Sequence, residues 1–500
     1  MVKMKRLRSD LLPSNYMDSP LFLDTNFSQI TDTQWENLFQ LAKDKSIVQR
    51  RDDLFTGKKI NLSENRPALH TALRNLSKKP VLVDDADVMP MIEEVWRQID
   101  RSCNKFVGVT DIIHIGIGGS DFGPRLVCDA LKNPRSSEKN HIRVHFLSNV
   151  DSSDLASILE KTKAKSTRII IVSKAFTTAE TLLNAKAVMA WLSAQGIKPA
   201  QASKMIYAIT ANPQLAKQFG VLDDHIFPFW DWVGGRFSVW SAVGLPIALK
   251  FGFDTFQDFL AGAQAMDQHF LQSPEATNQP LRLALALYHQ QKTLNVKSQA
   301  IIPYAQSLNL FPHWLQQLEM ESNGKTAGVD GQAVPFSAPV IFGIPGTNAQ
   351  HSFFQMLHQG PEVIPVDLIA VHESMSDIFQ NQAHHQQLWA NCLAQSQAFA
   401  MGQGDPSNLN HYYPGKRPNN LIVLPRLDAF HLGALMALYE HRTFCLGVLY
   451  GLNSFDQPGV ELGKKLAIPI EEALRSDSDV SNLHPVTAQR IQWFKKPNFK

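Results

Sequence analysis

No stretch of the sequence runs for about 18 residues apolar and uncharged, so nothing in it reads as a membrane-spanning helix. An excess of charge of either sign is missing too: 48 Lys and Arg stand against 46 Asp and Glu, a net charge of +2. Such a balance gives nucleic acid or an anionic membrane no general attraction, and any bound anion must be held by a local site. Cysteine is scarce. Cys103, Cys128, Cys392 and Cys445 fit neither a disulfide framework nor zinc spacing, which points to reduced thiols and a cytoplasmic protein. The N-terminal MVKMKRLRSDLLPSN is basic but lacks the apolar run of a signal peptide. Low-complexity tracts and short repeats are also absent. The cluster His372, His384 and His385 lacks a ligand pattern with nearby acids and reads as a solvated helix, not a metal site.

What is present is a globular composition, 44% hydrophobic and 19% charged over 500 residues, enough for about two to four domains. One grammar recurs: a short β-branched run, a turn rich in Gly, Ser, Thr or Asn, then a helical pattern. It occurs at DIIHIGIGG (111–119), IRVHFLSN (142–149), RIIIVSK (168–174) and MIYAIT (205–210). It resumes at SQAIIPYA (298–305), PVIFGIPG (339–346), EVIPVDLIAV (362–371, with a long helix from about 377) and NLIVLPRL (420–427). Residues 250–297 between the two sets read as helical, broken by QSPEATNQP at 272–280.

Strands followed closely by helices imply parallel sheets covered on both faces. The expected fold is α/β: two αβα sandwiches with mostly parallel sheets, plus helical N- and C-terminal segments. The expected boundaries are a helical segment over 1–90 packing on the second sandwich, a first sandwich over 91–250, and a second over 251–500 ending in a helical tail. In such sheets ligands bind beyond the carboxyl ends of the strands, so the strand-to-helix turns are the places to look for chemistry.

In HIGIGGSDFGP, Gly116, Gly118 and Gly119 leave a strand and open a helix, which suits close backbone approach to an anion. A dinucleotide fingerprint needs glycine where Asp121 stands, and a P-loop needs a missing Gly-Lys-Ser/Thr. The plainer alternative is a tight turn with Ser120 as N-cap. SKAFTTAET crowds Ser173, Thr177 and Thr178 at a helix start, beside the alternative that Thr177 and Glu180 form a capping box. In FWDWVGGRFSVWSAVGLP, Gly234 and Gly235 allow a tight turn and Arg236 follows among aromatic residues. An arginine in apolar sequence either is paired or faces an anion.

The stretch QQLEMESNGK (316–325) carries Glu319 and Glu321 near the end of a helix whose apolar stripe is Phe311, Trp314, Leu315 and Leu318. A wheel at about 100° per residue sets the two acids on opposite flanks of the stripe and does not choose between them. Either could sit at a half-buried edge, where desolvation raises a carboxyl pKa towards that of a useful base. Gly324 is placed to end the helix. Further on, GIPGTNAQHSFFQMLHQG has His351 at a turn-to-helix junction and His358 along the helix, and FDQPGVELGKK has Gln457 and Lys464 around a Pro-Gly turn. Taken singly, such residues are more often structural or surface-facing than functional.

Together these segments resemble the glucose-6-phosphate isomerase (phosphoglucose isomerase) family of the sugar-isomerase fold, as distinct from the metal-dependent cupin type. The resemblance is collinear from NLSENRPALHTALR (61–74) to VELGKK (460–465), with DWVGGRFSVWSAVG and GLNSFDQPGVELGK similar to the two family signatures and MESNGK between them. It implies reversible aldose–ketose isomerisation of glucose 6-phosphate and fructose 6-phosphate through ring opening and a cis-enediolate, in glycolysis and gluconeogenesis, with no metal or other cofactor.

By resemblance, Glu321 matches the catalytic base, His351 the ring-opening histidine, Lys464 the lysine acting with it, and Arg236 the arginine near the enediolate. Ser120, Ser173 and Thr178 match phosphate-site hydroxyls, with Gly119, Lys174 and Gly235 beside them, and Gln317 and Gln457 match substrate-holding glutamines. It also implies a homodimer with His351 reaching across the interface, and neither nucleic acid nor membrane as partner. Glu319 is then solvated or structural. One departure is Ala175, where the family usually has threonine, which implies looser phosphate binding. The alternatives are a non-catalytic sugar-phosphate-sensing module, a dinucleotide-dependent oxidoreductase, or an isomerase that also accepts mannose 6-phosphate.

Overall fold

The computed structural model describes residues 19–131, 142–374, 380–476 and 480–496. The basic N-terminal stretch and the expected onset of a helix near 377 lie outside them. The chain divides into two compact units, Met1–Ser454 and Phe455–Lys500. Two five-stranded sheets belong to the first. One has the order Arg143–Leu147, Asp111–Ile115, Thr167–Val172, Ile206–Thr210, Ile226–Pro228, with every neighbouring pair parallel. The other has the order Phe22–Asp24, Asn419–Leu424, Val366–Val371, Ser298–Tyr304, Val340–Phe342. Its pairs are parallel except for Phe22–Asp24, which runs antiparallel to Asn419–Leu424 with Phe22 opposite Val423.

These strands form because parallel sheets bury both faces, and the sequence supplies unbroken apolar runs to match. Ile112, Ile113 and Ile115 are inaccessible to solvent, as are Ile169, Ile170 and Ile171. Helices follow where the turns predict them: Ser152–Glu160, Ala179–Ala194 and Pro213–Phe219 on the first sheet, Phe354–Gln359, Asn381–Met401 and Ala429–Tyr450 on the second. The expected helical stretch before 297 is two helices, Phe253–Gln272 and Gln279–Leu294, split at the polar break. The strands Phe22–Asp24 and Ile226–Pro228 and the short hairpin of Leu82–Val83 with Ala86–Asp87 are additions that periodicity did not indicate, since two or three residues are too few to show a period of two.

Helix Ala429–Tyr450 is buried on nearly every side. It approaches Phe253–Gln272 so closely that a Cβ on Gly433 would stand 2.1 Å from the Phe259 carbonyl oxygen, and one on Gly262 would stand 1.7 Å from that of Phe430. Inside this largely apolar helix lie five consecutive polar residues, Tyr439 to Thr443, all buried. Arg74 forms two hydrogen bonds to Asp267 and one to Glu440, His441 lies 2.6 Å from Asp267, and Trp240 Nε1 donates to Glu440 at 2.8 Å. Arg442 reaches both Glu319 and Asp367, at 3.1 and 3.3 Å.

A methyl group on Gly433 has no room unless the two helices separate. Gly433→Ala should therefore lower unfolding stability by about 1–3 kcal/mol or more in denaturant titration. An unchanged midpoint would contradict the close approach.

Candidate active site

Two glycine turns meet backbone to backbone. Gly119 lies in the 3-10 turn Gly118–Ser120 beyond the strand Asp111–Ile115, and Gly235 opens the 3-10 segment Gly235–Trp240. A Cβ on Gly119 would stand 2.0 Å from the Gly235 carbonyl oxygen, so only glycine allows this contact. Ser238 Oγ donates to the Gly119 carbonyl at 3.4 Å. A Cβ on Gly118 would lie 3.0 Å from Gln317 Nε2, which places the turn between segments 235–240 and 316–321.

Arg236 is 4% exposed. Its Nε donates to Ser322 Oγ at 2.7 Å and its Nη2 to the Ser454 carbonyl at 2.6 Å, while Nη1 stands 3.6 Å from Glu321 Oε2. Gln317 Nε2 donates to that same carboxylate oxygen at 3.0 Å. The arginine is thus held by neutral acceptors while its charge faces a carboxylate, so it is both paired and aimed.

The structure separates the two glutamates that the wheel could not. The Glu321 side chain is 23% exposed and that of Glu319 is fully buried. The wheel fails because the segment is not α-helical throughout. A short α-helix, Phe311–Leu315, passes into a π-helix, Gln316–Glu321, whose wider turn changes the angular step between residues. Glu319 is not at a half-buried edge and is not solvated. It accepts from Asn323 Nδ2 at 3.0 Å, Thr443 Oγ1 at 2.6 Å and Arg442 Nη2 at 3.1 Å. The helical run ends at Gly324, as expected, with the Gly324 amide donating to Met320.

Neither cap expected at the two phosphate-type turns forms. Helix Ala179–Ala194 has Thr178 as N-cap with no side-chain cap bond, so the Thr177–Glu180 capping box does not form. The Thr178 hydroxyl instead lies 3.1 Å from Ser173 Oγ. Nor is Ser120 an N-cap: Asp121 holds that position, and the Ser120 carbonyl lies 2.7 Å from His114 Nε2. Ala175 is exposed. Lys174 Nζ donates to the carbonyls of Asp231 and Val233 at 2.9 and 3.0 Å, tying this turn to the chain just ahead of Arg236. Burial, reinforced by the Arg66 charge, pushes the Lys174 ammonium down to about 8 against smaller upward pulls from Asp231 and Glu64.

The structure therefore joins Gly119, Gly235, Arg236, Gln317 and Glu321, pairs Ser173 with Thr178, and links Lys174 to the arginine's segment. Among the described residues, no hydrogen bond or ion pair joins the exposed His351 ring to this group; His351 is the C-cap of Gly346–Gln350. Gln457 and Lys464 belong to the unit Phe455–Lys500. There Gln457 is the N-cap of the turn Pro458–Val460, and Lys464, exposed on helix Glu461–Arg475, donates to Glu461 at 2.8 Å. His358 is structural, stacked on Phe399 with its Nε2 2.8 Å from Gln395 Oε1. His385 Nε2 lies 2.7 Å from the His372 carbonyl.

Sequence reasoning missed Ser322, Asn323, Arg442, Thr443 and Ser454, which hold the acidic turn and Arg236. The polar run YEHRT inside the apolar ALMALYEHRTFCLGVLY was the available signal, because a buried polar residue needs a partner.

A lysine pKa lowered in the folded state weakens folding at pH values where the buried ammonium stays charged. That penalty is fully present below about 8 and is relieved as pH rises towards the unfolded value of about 10.4. Acylation of Lys174, followed by peptide mass spectrometry against pH, should titrate near 8; a midpoint above about 10 would contradict the burial argument.

A family model described as "Phosphoglucose isomerase" matches residues 24–491. A glucose-6-phosphate isomerase of Cupriavidus metallidurans is 43% identical over 481 residues, covering 92% of this chain and 88% of that protein. Glucose-6-phosphate isomerase 1 of Chromohalobacter salexigens is 42% identical over 479 residues, covering 93% and 86%. The crystal structure of a glucose-6-phosphate isomerase from Chlamydia trachomatis superposes with a TM-score of 0.87 at 30% identity, covering 95% of this chain and 91% of that one. With a parallel α/β fold and Glu321 set against Arg236 between two glycine turns, the chain belongs to the phosphoglucose isomerase family.

Proposed function

We propose that this chain interconverts glucose 6-phosphate and fructose 6-phosphate by ring opening followed by proton transfer between C1 and C2, without a metal. The observation that carries this reading is the half-buried Glu321 carboxylate 3.6 Å from the buried Arg236 guanidinium. A sugar C–H is far too weak an acid to ionise freely near neutral pH. The site must hold a base within reach and stabilise the enediolate as it forms. Glu321 takes the proton from one carbon and returns it to the other. Arg236, fixed by Ser322 and Ser454, supplies positive charge to the developing oxyanion with no reorganisation at that moment.

The phosphate is bound away from the reacting carbons by Ser120, Ser173, Lys174 and Thr178, and its binding energy fixes orientation. Gly119 and Gly235 keep the two turns in contact, and Gln317 and Gln457 hold the sugar hydroxyls. His351 and Lys464 move protons at the ring oxygen. His351 does so across a homodimer interface, in keeping with its exposure in the single chain. The enzyme works in the cytoplasm, in glycolysis and gluconeogenesis, and is organised as a 1–90 segment and sandwiches over 91–250 and 251–500.

Glu321→Gln keeps the shape of the side chain and removes the base. With EDTA present throughout, wild-type protein should turn over fructose 6-phosphate, and the variant should lose at least about a hundredfold in kcat. Sugar-phosphate binding without turnover in the wild type would favour a sensing module. Full activity in the variant would remove Glu321 as the base. A second test concerns the exposed Ala175: Ala175→Thr adds a hydroxyl to the phosphate turn and should lower KM by up to about tenfold, the worth of one hydrogen bond. An unchanged KM would show that position 175 makes no phosphate contact.

A further inference from the structure

Glu319 is a fully buried carboxylate two residues from the proposed base, and the chemistry does not use it. Both of its oxygens are occupied: Oε1 accepts from Asn323, and Oε2 accepts from Thr443 and Arg442 of helix Ala429–Tyr450. Asn323 is tied to the same helix and to the turn beyond it, donating to the Thr443 carbonyl at 2.8 Å and accepting from Ser454 Oγ at 2.7 Å. Ser322, between Glu321 and Asn323, accepts from Arg236 at 2.7 Å. The chain is thus anchored on both sides of Glu321, while the Glu321 carboxylate itself faces, among the described residues, a glutamine amide and a guanidinium at ion-pair distance. A π-turn is a rare backbone form that needs outside contacts to hold it. Here those contacts come from residues more than a hundred positions later in the chain.

We propose that Glu319, clamped by Thr443 and Arg442, is a positioning residue that holds the π-turn open and so aims the Glu321 carboxylate at the transferred proton. This rests on the reading of Glu321 as the base. The clamp touches no substrate. It acts on the proton-transfer step and leaves binding of the sugar phosphate alone, because an error in the placement of a reacting group is felt in the transition state far more than in the ground state.

The test is Thr443→Val, which keeps size and removes one donor, beside Thr443→Ser, which keeps the hydroxyl. Each is assayed for kcat, KM and the deuterium isotope effect on kcat with glucose 6-phosphate labelled at C2. The valine variant should lose about tenfold in kcat with KM within about twofold, and its isotope effect should rise as proton transfer becomes more rate-limiting; serine should restore both. Glu319→Gln, which sets an amide N–H against a donor, should show the same signature if the valine variant folds poorly. A lowered melting temperature with kcat and isotope effect unchanged would overturn the proposal and leave the clamp merely structural. Failure of the underlying reading looks different: Glu321→Gln would then keep its activity whatever Thr443 does.

Discussion

Five polar residues inside an apolar helix organise this protein. Tyr439, Glu440, His441, Arg442 and Thr443 are buried in Ala429–Tyr450, where unpaired polar groups would cost several kcal/mol each. Glu440 accepts from the Trp240 indole and Arg74, and Arg442 and Thr443 donate to Glu319. Trp240 closes the 3-10 segment that Gly235 and Arg236 open, and Glu319 lies on the π-turn that ends in Glu321. One helix therefore holds, through successive residues, the segments that carry both members of the Arg236–Glu321 pair. Burial pushes the Glu440 carboxyl up to about 7, and Arg74 offsets part of that rise. Packing alone does not set this region of the core; its ionic partners decide which side chain faces which.

The first sheet contributes in a complementary way. Its turns beyond Asp111–Ile115 and Thr167–Val172 bring glycine and hydroxyl groups to the carboxyl ends of parallel strands, where an open α/β sheet offers a crevice. Gly119 seats one turn against Gly235, and Lys174 ties the other to the carbonyls of Asp231 and Val233. Both connections end on the chain around Arg236. Phosphate held at these turns would thus be coupled through short, rigid contacts to the charge that faces Glu321.

Much of this was legible in the sequence, because the relevant signals are local. Parallel strands buried on both faces announce themselves as runs such as Ile169–Ile171, and glycine pairs such as Gly118–Gly119 mark tight turns. The rest depends on distant partners. The choice between Glu319 and Glu321 was beyond a helical wheel, since Arg442 and Thr443 stabilise a π-turn that no local propensity encodes. The capping-box spacing of Thr177 and Glu180 was a sound local pattern that lost to a tertiary one, the pairing of Ser173 with Thr178. The strand Phe22–Asp24 exists because Asn419–Leu424 offers it an edge, which its own three residues do not reveal.

In the proposed reaction Glu321 and Arg236 act as one unit, with the base forming the enediolate that the guanidinium stabilises. A double-mutant cycle on kcat with Arg236→Lys, Glu321→Gln and the double variant tests this most directly. If they act as one, the double variant will be scarcely slower than Glu321→Gln alone, because without the base there is little enediolate left for the arginine to stabilise. If the two losses multiply, the residues act independently and the guanidinium does not stabilise what the base forms.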